Sequence, residues 1–272
     1  TEAREARFMD GGHVRIQRVA LQAADRQRLQ LAGGDVLLHG GHGVEHHLHL
    51  AAREREAEQR AQWAKNAERN TALWAASIPA DDAVLSYLAA RGLAQWPVPA
   101  CIRQHPGLAY WHADDNGDLH MLGRYPAMLA PIVSGGKLLA IHRTYLGEGC
   151  KADVPTPKKL TAASGPLVGA CIPLAAPHGG VLGIAEGIET AAAASLGSGL
   201  PVVAAYCANA LAGFALPRGI ERLVIFADHD PAGQQAGATL AQRATRAGLT
   251  SKTLTPSKPG SDWADVWLEV MQ

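Results

Sequence analysis

The chain has 272 residues, its 25 Lys and Arg balanced by 25 Asp and Glu, and 47% of it is hydrophobic. That length holds one large domain or two small ones and can bury a core. Zero net charge excludes a protein that coats nucleic acid through bulk charge, so any nucleic-acid function must rest on a local site.

No window approaches the roughly 18 unbroken apolar residues of a membrane span, and TEAREARFMD has no basic-then-apolar signal pattern. The expectation is a soluble, cytoplasmic protein with no membrane partner. Cys101, Cys150, Cys171 and Cys207 form no CxxC pair, which excludes a zinc ribbon and a CxxC redox site.

In chain order, the first feature is a histidine-rich stretch, His39 to His49. His42-x-x-Glu45-His46 matches a metalloprotease spacing, but that motif needs a helix. Gly40, Gly41 and Gly43 oppose one, so a turn beside a hairpin with VRIQRV is expected. Leu50 to Ala76 lacks Gly and Pro and predicts a long helix with a solvated charged face, packed through Trp63 and Trp74. Pro79-Ala80-Asp81-Asp82 then starts a short helix, DAVLSYLAARG, which Gly92 stops.

Strand-like runs follow, broken at Asn116-Gly117 and Gly135-Gly136 as hairpins are. They predict a small antiparallel subdomain, and Trp111 within it is a candidate for stacking a base. The Pro-broken segment Lys151 to Gly165 reads as a surface loop. From Val181 onward, VLGIAEG, PVVAAYC, RLVIFADHD and SKTLTP alternate with Ala-rich helical stretches. That alternation predicts a parallel sheet covered on both faces.

The fold class is therefore α/β. A C-terminal parallel sheet with flanking helices (178–272) follows a smaller α+β subdomain (78–177) and an N-terminal helical region (1–77).

Ligands of such sheets sit beyond the carboxyl ends of the strands. There the first strand ends in Glu186-Gly187 and the third in Asp228-His229-Asp230. Asp228 and Asp230 point the same way if the chain stays extended. Carboxylates converging at one edge repel unless a cation lies between them, and hard oxygen donors favour Mg²⁺ or Mn²⁺. Gly187 and Gly233 would let backbone approach the ions and their phosphate ligands. Asp262 and Asp265 follow the fourth strand; helix capping and support of a metal site are both open for them. Glu189 opens a helix, where negative charge is favoured in any case.

AEG at Glu186 and ADHD at Asp228 and Asp230, in this strand–helix order, resemble the Toprim domain of bacterial-type primases, topoisomerases and some nucleases. The resemblance covers residues 178–272. It implies acid–base work for Glu186 and Mg²⁺ binding by the aspartates. LAPIVSGGKLLAIHRTYL and KADVPTPKKLTAASG resemble the segment before Toprim in primases, where strand-end Arg and loop lysines meet template or nucleotide. Arg143, Lys151, Lys158 and Lys159 are the matching positions.

EGIETAAAA, VIFADHDPAG, GSDWADVW and SYLAARGL resemble primases and primase-helicases of phages, plasmids and integrated elements. By that analogy Glu189, Asp262 and Asp265 are secondary site residues. The implied activity is primer synthesis on single-stranded DNA from nucleoside triphosphates. Since no zinc ribbon and no Walker A loop occurs, the chain reads either as a polymerising core cut from something larger or as one working with separate partners, a replicative helicase or a zinc-ribbon domain among them. A metal-dependent nuclease using the same acids and a non-catalytic replication-associated binding module are the alternatives.

Overall fold

The structure is a computed structural model and describes residues 41–271. His39, Gly40 and the VRIQRV segment lie outside the described residues. Residues 57–272 form one compact unit. Among the described residues, no helix is long and apolar enough to cross a membrane.

Helix α1 (Gly41–Ala75) starts nine residues earlier than the Gly-free stretch predicts. Gly41 and Gly43 do not prevent helix there, which corrects the expected turn. Within residues 57–75 the face turned to the protein carries Asn66 and Asn70, both buried. Asn66 Nδ2 donates to Ala163 O at 2.8 Å, and Asn70 Nδ2 donates to Leu139 O and Ala162 O at 3.2 and 3.1 Å. Trp74 packs with Leu73 on the same domain and lies under the Arg103 guanidinium, 5.4 Å from the ring.

The first sheet has five antiparallel strands in the order β1 (Ile78–Pro79), β2 (Arg103–Ala113), β3 (Leu119–Ser134), β4 (Lys137–Tyr145) and β5 (Lys158–Leu160). Gly135 and Gly136, at φ 55° and 75°, form the two-residue turn that pairs Ser134 with Lys137. Only residues without a Cβ take two successive left-handed positions at no steric cost. Strand β5 corrects the expectation of a loop over 151–165: Lys158–Leu160 pairs with His142–Thr144. Helix α2 (Asp82–Ala90) follows β1 in the chain and ends before Gly92, whose φ is 74°. Asp81 occupies its N-cap position, though its side chain makes no capping bond.

The second sheet is parallel, in the order β7 (Val202–Ala204), β6 (Val181–Ala185), β8 (Arg222–Phe226), β9 (Thr250–Leu254). Its helices are α3 (Ile188–Ser198), α4 (Ala208–Gly213), α5 (Pro231–Arg246) and α6 (Trp263–Val270). Helix α3 is buried from Ile188 to Ala194, which its run of alanines permits because small side chains allow close packing on several sides. One core joins Val84, Tyr87 and Leu88 of α2, Met128 and Ala130 of β3, Ile188 of α3 and Phe226 of β8. The two sheets thus share a core, and a second cluster buries the other face of the parallel sheet under α4 and α5.

In the parallel sheet the chain leaves β6 toward β7 on one side, while β8 and β9 lie on the other. The carboxyl ends of β6 and β8 therefore flank the crevice where such sheets hold ligands.

Candidate active site at the sheet junction

Ala185 pairs with Phe226 at the last register position of β6 and β8. Glu186 and Asp228 leave the two strands just beyond it and line one cleft of about 190 Å³. The parallel sheet and its helices also contribute Gly187, Glu189, Thr190, Tyr206 and Asp262 to this cleft. From the α2 and β4–β5 side come Arg91, His142, Lys151 and Lys158. An acidic edge faces a basic wall.

Asp228 is the most perturbed acid of that edge. Burial, then the charges of Glu186, Asp262, Asp230 and Asp265, push its carboxyl up to about 7. Its Oδ1 is buried and accepts no hydrogen bond. Burial and the Asp230 charge likewise raise Glu186, against the pull of Lys158. Deprotonated oxygens held together in this way are an electrostatic cost that a divalent cation would relieve. The donor set, carboxylate oxygen throughout, is that of Mg²⁺ or Mn²⁺. As the side chains lie, no three His, Cys, Asp or Glu among the described residues form a metal cage.

The other acids are placed differently. Asp230 is exposed and caps α5, its Oδ1 accepting from Gly233 N at 2.7 Å. The chain turns from strand to helix between the two aspartates, so they do not line the cleft together, as an extended Asp-x-Asp would; Asp230 acts on it through its charge. Packing requires a glycine at 233: a Cβ there would stand 2.9 Å from Asp228 O. Asp262 and Asp265 form a reciprocal capping box at the start of α6. Asp265 also meets Arg91 at 3.7 Å, which leaves Asp262 as the member of the pair that lines the cleft.

Glu189 does more than match a helix dipole. It is buried, with Oε1 accepting from Tyr87 Oη at 2.5 Å and Oε2 meeting Lys158 Nζ at 3.1 Å. Burial alone would raise it; Lys158, the Tyr87 hydroxyl and a backbone N–H outweigh burial and hold it at about 2. Burial and Glu189 push the Tyr87 phenol well above its ordinary range.

Strand alternation divides the four predicted cations. Lys158 faces the cleft, and burial, then Lys158, lower Lys151 beside it. Lys159 lies on the opposite face, its Nζ 4.1 Å from the Tyr110 ring centroid and bonded to Trp111 O. Arg143, the cross-strand partner of Lys159, donates to Leu160 O at 2.6 Å and to Tyr145 Oη at 3.3 Å. Neither Arg143 nor Lys159 lines the cleft. Trp111 is half exposed on the β2–β3 hairpin, paired with exposed Met121.

Sequence reasoning missed four cleft or near-cleft groups: Tyr87, Arg91, His142 and Tyr206. His142 sits on an apolar strand; burial drives its imidazole down to about 4, and its Nδ1 has no partner. Among the described residues, Tyr206 is the non-glycine residue with left-handed backbone, φ 72°, held by a bond from its N–H to Glu186 O. SYLAARGL already contained Tyr87 and Arg91, but the sequence offered no sign of their targets.

Residues 181–271 match the family model described as Toprim domain. The C-terminal third of the chain is a Toprim domain. Residues 64–171 match a second model, described as a domain of unknown function, DUF7146. No curated protein matches the chain.

Among solved structures, the DnaG primase catalytic domain bound to ssDNA is similar over 77% of each chain, with 16% identity and a TM-score of 0.50. The DnaG catalytic core is similar over 68% of this chain and 69% of its own, at 15% identity and a TM-score of 0.46. The primase fragment of the bacteriophage T7 primase-helicase aligns with 68% of this chain and 66% of its own, at 15% identity and 0.41. At 16% identity the likeness to the first of these is one of fold.

Proposed function

We propose that the protein is a primase-type nucleotidyltransferase core that makes short primers on single-stranded DNA from nucleoside triphosphates. The observation that carries this reading is the opposition, across one cleft, of Glu186 and the orphaned oxygen of Asp228 to the cations Arg91, Lys151 and Lys158. Such a pairing suits a triphosphate, whose charged tail needs cations and whose reacting phosphate needs metal.

In this reading Asp228, Glu186 and Asp262 hold Mg²⁺ or Mn²⁺, and Asp230 adds charge from the N-cap of α5. The ion, when bound, offsets charge on the transferring phosphate and lowers the pKa of the attacking 3′-hydroxyl. Lys151 and Lys158 pair with phosphate oxygens as point charges, and Arg91 does so as a fork. Glu186, at the carboxyl end of β6 in the same cleft, is the carboxylate in place to take a proton from the primer hydroxyl. His142, neutral at physiological pH, offers ring nitrogen to a sugar or base without adding charge.

Residues 78–177 supply the basic wall and 178–272 the acidic edge. A cytoplasmic setting, with a helicase or zinc-ribbon partner supplying template selection, completes the reading.

The test is a primer-synthesis assay on single-stranded DNA with four labelled ribonucleotides and Mg²⁺ or Mn²⁺. Extended labelled products are expected. Shortened DNA without incorporation would instead make the same acids those of a nuclease. Absence of both, with a silent calorimetric titration by Mn²⁺, would leave only a binding module.

A further inference from the structure

The hydrogen bond from Tyr87 to Glu189 spans 102 positions and ties α2, inside the segment that matches the domain of unknown function, to the Toprim helix α3. Tyr87 is fully buried, and its hydroxyl makes this bond to one oxygen of Glu189. The other oxygen is thereby left to Lys158, at 3.1 Å. Lys158 is the partly exposed member of the three, its side chain 39% accessible against 6% for Glu189. The result is a relay whose buried end is fixed by packing and whose open end is a cation on the cleft wall.

The chemistry of the relay is directional. A buried carboxylate with one partner would swing about its side-chain torsions toward whichever cation is near. With Tyr87 locking Oε1, Oε2 has one orientation, and the Lys158 ammonium is drawn to one place. A lysine is a flexible point charge that loses much rotamer freedom when it is fixed. Fixing it before ligand arrives removes that cost from binding, which is what preorganisation means for an anion site.

On the basis of the nucleotidyltransferase reading, we infer that Tyr87 is a positioning residue for the triphosphate subsite. Through Glu189 it holds Lys158 where the phosphate tail of the incoming nucleotide binds, so the two sequence families that make up the chain are coupled at the nucleotide. Tyr87 itself touches no substrate.

The test uses the full chain with Tyr87→Phe, which keeps the ring and removes only the hydroxyl. Two readouts are taken. Steady-state primer synthesis should show KM for nucleoside triphosphate raised about tenfold, the effect of one lost hydrogen bond to a charged group, with kcat changed far less. Calorimetric titration with inorganic tripolyphosphate, which needs no catalysis, should show affinity falling by a similar factor.

Glu189→Gln should reproduce both changes, because it keeps an acceptor for Tyr87 but presents no charge to Lys158. The decisive comparison is Tyr87→Phe in a Lys158→Ala background: no further loss of tripolyphosphate affinity is expected, since the relay then ends in nothing. A purely structural role would lower the melting temperature and leave KM and tripolyphosphate affinity alone; that result overturns the inference. Full additivity with Lys158→Ala overturns it as well, as does a wild-type chain that fails to bind tripolyphosphate. If the wild type binds tripolyphosphate with this non-additivity but makes no primer, the primase reading falls and the relay stands.

Discussion

The two walls of the cleft are built on opposite principles. On the acidic edge the charges repel one another, and Asp228 keeps a buried oxygen without any partner. On the basic wall two of the charges are already engaged, Lys158 with Glu189 at 3.1 Å and Arg91 with Asp265 at 3.7 Å. A wall whose groups are satisfied is part of the fold, and a wall whose groups are frustrated awaits a ligand. The contrast predicts that damage to the acids will be read in activity and damage to the bases largely in stability or in nucleotide affinity.

The largest effect is expected at Asp228. Asp228→Ala should abolish Mg²⁺-dependent primer synthesis, a loss on the order of a thousandfold or more, while circular dichroism stays native-like and the melting temperature does not fall. A variant with activity within tenfold of wild type would remove Asp228 from the site. Next comes Lys158→Ala. It strands a buried carboxylate, so the folded state should lose about 2–3 kcal/mol, less than for a fully buried pair because Lys158 is partly exposed. Urea denaturation at pH 7 measures it. No change would mean that the basic wall is not held together as the structure has it.

The pH dependence separates the walls further, because Glu189 and Asp228 have opposite signs. Glu189 is held at about 2, below its unfolded value, so it contributes stability above roughly pH 4.5 that is lost as pH falls toward 2. Asp228 is raised to about 7, so its contribution is present below roughly pH 4 and lost as pH rises through 7.

In metal-free protein at pH 8, Asp228→Asn should therefore stabilise the fold by about 1–2 kcal/mol after allowance for solvent screening, with the gain gone near pH 5. Adding Mn²⁺ should raise the melting temperature of the wild type and not of this variant. Equal responses of the two proteins would show that the acids do not share a cation.

How much of this was legible in the sequence also divides along the cleft. Glu186 and Asp228 were readable because each terminates a continuous apolar strand, and the order of strands and helices fixes which edge they share. The basic wall was not. Strand β5 is three residues long inside a Pro-broken segment, and only its pairing with His142–Thr144 decides that Lys158 faces the cleft while Lys159 does not. His142 was hidden because a histidine on an apolar strand has no periodic signature. Asp230 and Gly233 were read as site residues, but the chain turns into α5 between Asp228 and Gly233, and a helix start has its own demand for a cap and a close approach. Glu189 carries two readings in the sequence, dipole matching and a secondary site residue, and nothing in its neighbourhood announces a tyrosine 102 residues away.

The smallest expected effect tests what braces the basic wall from behind. Helix α1 offered Trp63 and Trp74 as its packing points, whereas Asn66 and Asn70 are its most buried residues in the described part. They bind the carbonyls of Ala162 and Ala163, in the segment that leaves β5. Asn70→Ala removes two hydrogen bonds, but Leu139 O keeps the donors of Ser164, its N–H at 2.8 Å and its hydroxyl at 3.1 Å. The variant therefore deprives only Ala162 O, and the cost should be about 1 kcal/mol. Asn66→Ala should cost a similar amount through Ala163 O, and Gln62, which donates to Asn66 at 2.9 Å, would be released. Because neither asparagine touches the cleft, the melting temperature should drop by a few degrees while KM for nucleotide stays where it was. A rise in KM instead would mean that the position of Lys158 depends on the outer helix as well as on Glu189, and the distinction between a frustrated wall and a satisfied one would then need to include α1.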